Sequence, residues 1–367
     1  MKVVVAGGGT AGHVFPALAL ANRLVAEGHE VRFAGTAQGQ EARLVPEAGF
    51  AFETIRARPL VRAVSVRAVT APLVALRAVG ECRPLVEAAD VVVGMGGYVS
   101  VPVALAALRS RRPLVLHEQN AVPGLANRIL SRPARAVALS FAEAVRSFPA
   151  RSRIAVTGNP VREPILAVQE DRKRLAKEAR SELGLDEGRQ TLVVFGGSQG
   201  ALHLNRAIVG AVGFLDRDDL QVVLLTGPAH VESIARALPA KPRVPVHVRG
   251  FLERMELAYA VADLVVARAG ATTIAEIAVC AVPSILIPYP YATGRHQEAN
   301  ARALQRAGGA WMVLDDTLDG PVLAESVGRL LDQPERSREM GERARAWSRP
   351  DAAEALARVV LRAGGAT

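Results

Sequence analysis

The chain has 367 residues, half of them hydrophobic and 4% aromatic, with a formal net charge of +9 at pH 7. That length exceeds one ordinary core and suits two α/β domains, and the supply of Val, Ile, Leu and Ala excludes a disordered chain. Arginine carries the positive charge, Lys2, Lys173, Lys177 and Lys241 being the only lysines; without an aromatic-interleaved basic cluster or zinc-finger spacing, nucleic acid is not an expected partner.

Short β-branched runs alternate with helical patterns along the whole chain, which predicts parallel sheets joined by right-handed crossovers. Strands are expected near 2–6, 30–34, 90–94, 113–117, 135–139 and 153–157, then again near 191–196, 220–226, 245–248, 263–267, 283–287 and 310–313. The first, Val3-Val4-Val5-Ala6, is broken by Gly7-Gly8-Gly9 and so reads as a strand and loop, not as a secretory leader. No uncharged run approaches the roughly 20 residues of a membrane span, and a cytoplasmic protein is expected. Cys82 and Cys280 lack partner spacing and are expected to be buried thiols without metal or disulfide roles.

Ligands of open α/β sheets sit beyond the carboxyl ends of the strands, so polar residues just after strands carry the functional signal. Gly7-x-Gly9-x-x-Gly12 satisfies a dinucleotide fingerprint. The end of the second strand, however, reads Ala34-Gly35-Thr36 where an acidic ribose ligand is wanted. A phosphate-binding loop survives that test; a nicotinamide site loses its second support. His13 opens the next helix, which is expected to run to Glu27 and cap at Gly28. It is either a general base at the mouth of the loop or a packing residue. Gly94-Met95-Gly96-Gly97-Tyr98, with Ser100 as expected N-cap and Pro102 in the first turn, is either a second anion cradle or a plain tight turn.

His117-Glu118-Gln119-Asn120 follows Leu114-Val115-Leu116 and precedes a helix with Pro123 in its first turn. Four polar side chains there suggest a site, against a solvated loop. Gly158-Asn159-Pro160-Val161-Arg162 closes the first half and leaves Arg162 at the mouth of a cleft, unless it is an ordinary surface arginine. A charged helix from about Asp171 to Leu183 then leads into the second half.

Leu192-Val193-Val194-Phe195 followed by Gly196-Gly197-Ser198-Gln199-Gly200-Ala201 repeats the opening pattern and fits a diphosphate, with the Ser198 hydroxyl as an extra donor. The segment from Arg268 to Glu276 places an arginine at a strand end and Gly270, Ala271, Thr272 and Thr273 at a helix start. Glu276 comes one turn on, where it could accept both ribose hydroxyls or simply answer the helix dipole. His296-Gln297-x-x-Asn300 opens another helix whose amides could bind sugar hydroxyls. Asp216-Arg217-Asp218 matches a metal-holding Asp-x-Asp motif in letters but precedes its strand, at the wrong end of the sheet, and reads as a solvated turn. Between Arg56 and Gly80 lie Arg58, Arg62, Arg67 and Arg77 with interleaved Leu and Val and no acidic residue. That stretch suits either an anionic membrane surface or a core helix with a wet basic face.

Taken as a set and in order, the glycine loop at 8–13, Gly94–Tyr98, His117–Asn120, Gly158–Arg162, Gly196–Gly200 and Arg268–Glu276 resemble the MurG family of bacterial transferases across essentially the whole chain. The resemblance implies the GT-B fold, two Rossmann-like doubly wound domains facing a cleft, with an acceptor and membrane domain over 1–162, a donor domain over 163–349, and a C-terminal helix within 350–367 packing back on the first. It implies an inverting, metal-independent and cofactor-free transfer of N-acetylglucosamine from UDP-GlcNAc to undecaprenyl-diphospho-N-acetylmuramoyl-pentapeptide (lipid I). The donor is then expected at Ser198, Leu252, Arg268, Gly270, Ala271, Thr272, Thr273, Glu276, Gln297 and Asn300, with Thr10, Ala11, Gly12, Asn120 and Arg162 completing the substrate contacts. Gly8, Gly9, Gly96, Gly97 and Tyr98 would take the lipid diphosphate. His13 would activate the muramoyl C4 hydroxyl, with Glu118 as the other candidate base. The implied location is the inner face of the plasma membrane, with other cell-wall enzymes as candidate partners. Two positions depart from the pattern: Ala11 replaces a common glycine, and His296 stands where some relatives carry glutamine. A UDP-GlcNAc 2-epimerase and a non-catalytic nucleotide-sugar binder are the rival readings.

Overall fold

The computed structural model describes residues 1–57, 66–197, 200–240 and 242–366, with the backbone alone over 66–76. The chain divides into two compact units, one of Met1–Arg162 with Arg349–Thr367 and the other of Glu163–Ser348.

The first unit holds β1 (Lys2–Ala6), β2 (Glu30–Gly35), β3 (Ala51–Thr54), β4 (Val91–Gly94), β5 (Leu114–Glu118), β6 (Ala136–Leu139) and β7 (Ile154–Val156). They form one parallel sheet in the order β3-β2-β1-β4-β5-β6-β7. β3 is the strand that periodicity misses: Ala51-Phe52-Glu53-Thr54 is a largely exposed edge without a β-branched run. Elsewhere the continuous apolar runs are explained by cover on both faces. Val3 and Val5 point into a layer with Leu20 and Leu24 of the helix Ala11–Ala26 and with Leu356, Ala357 and Val360 of the helix Ala352–Gly364. Val4 and Ala6 point the other way, into a layer with Val79, Cys82 and Val86 of the helix Val66–Glu87 and Val103 of the helix Ser100–Arg109. The buried end of the helix Val66–Glu87 is therefore core. Arg58 and Arg62 lie outside the described residues, as does the side chain of Arg67.

The second unit holds β8 (Gln190–Phe195), β9 (Leu220–Leu225), β10 (Val246–Arg249), β11 (Leu264–Arg268), β12 (Ser284–Ile287) and β13 (Trp311–Met312), in the order β10-β9-β8-β11-β12-β13 and again parallel. Leu192, Val194, Leu224, Val266 and Ile285 pack against Leu204 and Ile208 of the helix Leu202–Val212 and Leu323 and Val327 of the helix Gly320–Leu331.

Both strand orders reverse at one place, between β1 and β4 in the first sheet and between β8 and β11 in the second. Loops after those strands leave in opposite directions and open a crevice beyond the carboxyl ends. The two glycine loops of the first unit follow β1 and β4; Gly196 and Gly270 follow β8 and β11. Among the described residues no helix is long and apolar enough to cross a membrane.

Candidate active site

In the first unit the two glycine loops lie against each other. A Cβ on Gly7 would stand 2.7 Å from Met95 Cβ, and one on Gly97 would stand 2.5 Å from the Gly8 carbonyl oxygen. Gly9, Gly96 and Gly97 have φ of 85°, 88° and 77°, the left-handed region that glycine alone enters cheaply. The helix that follows starts at Ala11, two residues before His13. His13 Nδ1 lies 3.0 Å from the exposed Thr10 Oγ1, and its ring lies over the second loop, where a Cβ on Gly96 would come within 2.9 Å of Cδ2. His13 is half-buried. In the tautomer in which Nδ1 donates to Thr10, Nε2 carries the lone pair.

A carboxylate that sequence reasoning missed sits beneath these loops. Glu41 is fully buried; its Oε2 accepts from the Gly9 N–H at 2.8 Å, and its Oε1 from the Thr36 N–H at 3.0 Å and the Thr36 hydroxyl at 2.8 Å. The Thr36 hydroxyl lies 3.3 Å from the Tyr98 hydroxyl, joining both loops to β2. An acidic residue does therefore reach the end of β2, but it faces inward and holds the loop instead of a ribose. Its only sequence signal is the surrounding small residues, since Gly8, Gly35 and Gly39 leave room for the carboxyl and a Cβ at any of them would collide with it.

The His117–Asn120 cluster is placed differently from expectation. β5 runs on through Glu118, so His117 and Glu118 are strand residues, and His117, Glu118 and Gln119 are all buried. Glu118 Oε1 accepts from the Asn120 N–H at 3.0 Å and from Asn120 Nδ2 at 3.3 Å. Its Oε2 accepts from the Gly124 N–H at 3.0 Å and Asn127 Nδ2 at 2.9 Å. Four donors on one carboxylate describe a clamp on the 120–127 loop rather than an available base. Gln119 Nε2 donates to the Met95 carbonyl at 3.1 Å. His117 Nε2 lies 3.2 Å from the Gly158 carbonyl and 3.3 Å from Ser140 Oγ, and burial pushes its pKa down to about 4. Two further expectations are corrected. Ser100 is the first helical residue, with its hydroxyl donating to the Gly97 carbonyl at 2.9 Å, not a cap. Pro123 precedes the helix Leu125–Leu130 instead of standing in its first turn. The Arg162 guanidinium stacks 4.0 Å over the Phe15 ring, beside the start of the His13 helix.

In the second unit Gly197 and Gly200 take φ of 95° and 78° ahead of the helix Leu202–Val212, and a side chain on Gly200 would run into the Thr226 carbonyl. Ser198 and Gln199 lie outside the described residues. After β11, Gly270 caps the helix Ala271–Val279 in extended conformation, so Ala271, Thr272 and Thr273 form its first turn and turn their N–H groups toward the crevice. Glu276 lies beyond that turn and is buried, so the helix dipole does not account for it. Its Oε2 accepts from the buried Tyr259 hydroxyl at 2.8 Å.

Arg268 is only 7% exposed, and its Nη1 donates to the carbonyls of Ile287 at 3.3 Å and Pro288 at 3.2 Å and pairs with Asp315, which also meets His203 Nδ1 at 3.1 Å. That nitrogen ties together the ends of β11, β12 and β13, a different job from neutralising a diphosphate. Asn300 is likewise buried, with Nδ2 donating to the Ala269 carbonyl at 3.3 Å, so it props the loop before Gly270 from below. Gln297 Oε1 accepts from the Tyr289 N–H at 2.9 Å, His296 Nδ1 lies 2.9 Å from the Thr293 carbonyl, and Leu252 is buried. Asp216 and Asp218 pair with Arg243 ahead of β9, at the amino end of the sheet and away from these loops.

Comparison with known proteins adds to this geometry. Residues 3–139 match the model of the glycosyltransferase family 28 N-terminal domain, and residues 191–356 that of its C-terminal domain. A protein of Halothermothrix orenii named UDP-N-acetylglucosamine--N-acetylmuramyl-(pentapeptide) pyrophosphoryl-undecaprenol N-acetylglucosamine transferase is 42% identical over 98% of this chain and 98% of its own length. A protein of the same name from Bacillus licheniformis is 38% identical over 98% of both. Among solved structures, MurG of Acinetobacter baumannii superposes with a TM-score of 0.77 at 31% identity, covering 98% of this chain and 99% of its own. UDP-GlcNAc 2-epimerase of Neisseria meningitidis reaches 0.69 at 13% identity, covering 99% of this chain and all of its own, a likeness of fold alone.

Proposed function

The chain belongs to the MurG branch of glycosyltransferase family 28, and from that premise we propose a division of labour in which the second unit holds the donor and the first activates the acceptor. The enzyme is a hexosyltransferase of GT-B fold. It moves N-acetylglucosamine from UDP-GlcNAc to the C4 hydroxyl of undecaprenyl-diphospho-N-acetylmuramoyl-pentapeptide, making lipid II for peptidoglycan. The observation that carries the division is the placing of two glycine-bearing loops at the strand-order reversal of each sheet, where the buried carboxylate of the first unit, Glu41, is taken up by its own loop and that of the second, Glu276, stands on the helix that follows the reversal strand β11.

In this reading Glu276 accepts the ribose hydroxyls and the first turns after Ala201 and Gly270 receive the diphosphate, with Ser198, Leu252, Gln297 and Thr10, Asn120 and Arg162 completing the donor contacts. Gly8, Gly9, Gly96, Gly97 and Tyr98 line the place for the lipid diphosphate. His13 Nε2 takes the proton of the C4 hydroxyl as that oxygen attacks the anomeric carbon; the bond from this carbon to the β-phosphate oxygen breaks, UDP leaves, and the configuration inverts. Arg268 and Asn300 hold the donor loop, and Glu118 holds the 120–127 loop.

Attachment to the inner face of the plasma membrane, and through lipid II a role in cell shape and division, extends this reading. Leu125 and Ile129, 67% and 54% exposed on one face of a short helix beside Arg128 and Arg132, support it, as does the basic composition of 56–80. The test is to supply UDP-GlcNAc with and without lipid I. UDP release and a disaccharide product that both require the acceptor are expected. Epimerisation of the donor without acceptor would overturn the transferase, and tight donor binding with no release of UDP would make it a binding protein.

A further inference from the structure

We infer that Tyr259 is a positioning residue that fixes the Glu276 carboxylate for the ribose of the donor, an inference that rests on Glu276 being the ribose acceptor. The phenol comes from the helix Met255–Val261 and the carboxylate from the helix Ala271–Val279, two elements separated in sequence by β11. Among the described residues Tyr259 is the bulkiest fully buried side chain, and its hydroxyl meets Glu276 Oε2 at 2.8 Å. Its ring packs edge-on against Phe195, with centroids 6.0 Å apart and planes at 77°, and Phe195 is the residue immediately before the glycine loop of β8. One side chain thus touches the last residue of β8 and the helix that follows β11, the two strands flanking the reversal of the sheet.

The last torsion of a glutamate is broad and nearly twofold, so nothing within the side chain sets the plane of its carboxylate. A phenol hydrogen-bonded to one oxygen sets it. A carboxylate has about four acceptor positions, so an oxygen held by the phenol is compatible with acceptance from vicinal 2′ and 3′ hydroxyls in a fixed orientation. The position of Glu276 past the first helical turn makes this orientation matter, because a group set that deep reaches a ligand in few rotamers.

The experiment measures kcat and KM for UDP-GlcNAc and for its 2′-deoxyuridine counterpart in the wild-type protein, Tyr259→Phe, Glu276→Gln and the double variant. The wild type is expected to prefer the ribose donor. Tyr259→Phe should reduce that preference about tenfold, through KM, with kcat held within about twofold. In the Glu276→Gln background the same change should have no further effect on the preference, since the phenol acts through the carboxylate. Calorimetric binding of UDP and 2′-deoxy-UDP reads the same preference without turnover or acceptor. An intact preference in Tyr259→Phe, equal losses for both donors, additivity in the double variant, or failure of Tyr259→Phe to fold each overturns the proposal and makes the tyrosine a core strut. A preference that survives Glu276→Gln overturns the ribose reading itself.

Discussion

The carboxylate of Glu41 lies 2.8 Å from the main-chain nitrogen of Gly9 and holds the first glycine loop from within the protein. An anion that sits under a loop suited to anions is a constraint: the Gly9 N–H, which a phosphate could have used, is already answered. What remains for a ligand is the outer surface of the loop, shaped by Gly8, Gly96 and Gly97. Replacing Glu41 by Ala takes the carboxylate partner from the Gly9 and Thr36 N–H groups and leaves the Thr36 hydroxyl with the Tyr98 hydroxyl alone of the two. The loss is expected to be about 3 kcal/mol of stability in urea unfolding, with turnover reduced alongside it. Unchanged stability with normal turnover would show the loop to be self-supporting.

Glu118 gives the opposite expectation from a catalytic base. Its four donors all belong to the segment from Asn120 to Asn127. Glu118→Gln would aim an NH₂ group at two of them. The variant should therefore lose about 2 kcal/mol of stability as well as activity. Activity lost at full stability, with the pH–rate profile losing a limb, would restore Glu118 as the base.

The distance between these two glutamates and their sequence signals shows what was legible. The continuous Val, Ile and Leu runs located strands well because parallel strands covered on both faces need no alternation, and β3, exposed at the edge, carried no such run. Glycines after strands located the loops because positive φ and close approach demand them. Polar residues after strands were less informative, since whether a side chain turns toward ligand or toward its own backbone is decided by packing. His117, Gln119, Arg268 and Asn300 all turned inward, Tyr259 carries no local pattern, and Glu41 is marked only by the small residues around it.

His117 makes the stability depend on pH in a definite direction. Its folded pKa of about 4 lies below the ordinary histidine value of 6.5, because burial disfavours the charged ring. Between these values the unfolded chain binds a proton that the folded protein does not. Stability from this group is thus complete above about pH 6.5 and is lost as the pH falls toward 4. A loss of about 2 kcal/mol from pH 7 to pH 5 is expected in denaturant titrations, and His117→Asn should flatten that slope.

Both cysteines are buried, and burial pushes the Cys82 thiol up to about 12 and Cys280 higher still. Thiolate, the reactive form, is negligible at neutral pH. Ellman's reagent should find no thiol in the native protein and two in denaturant. Rapid labelling of the native protein would place at least one thiol at the surface.

His13 is the residue on which the chemistry of the acceptor side turns, and its environment allows a graded test. Removing the imidazole by His13→Ala should lower kcat by about 10²–10⁴-fold, the range for a general base, with donor KM changed little. Thr10→Val removes the oxygen 3.0 Å from Nδ1 and with it the hydrogen bond that orients the ring. A smaller loss in kcat, about tenfold, should follow. Gly96→Ala leaves both groups in place but adds a methyl 2.9 Å from the ring at a φ of 88°. It should push the imidazole off the second loop and fall between the other two. The order of the three variants carries the argument. A base needs its ring, its orientation and its position, whereas a packing residue would lose most from the inserted methyl and little from Thr10→Val. If Gly96→Ala proves the most damaging and lowers stability in proportion, His13 packs the loops together and the proton goes elsewhere.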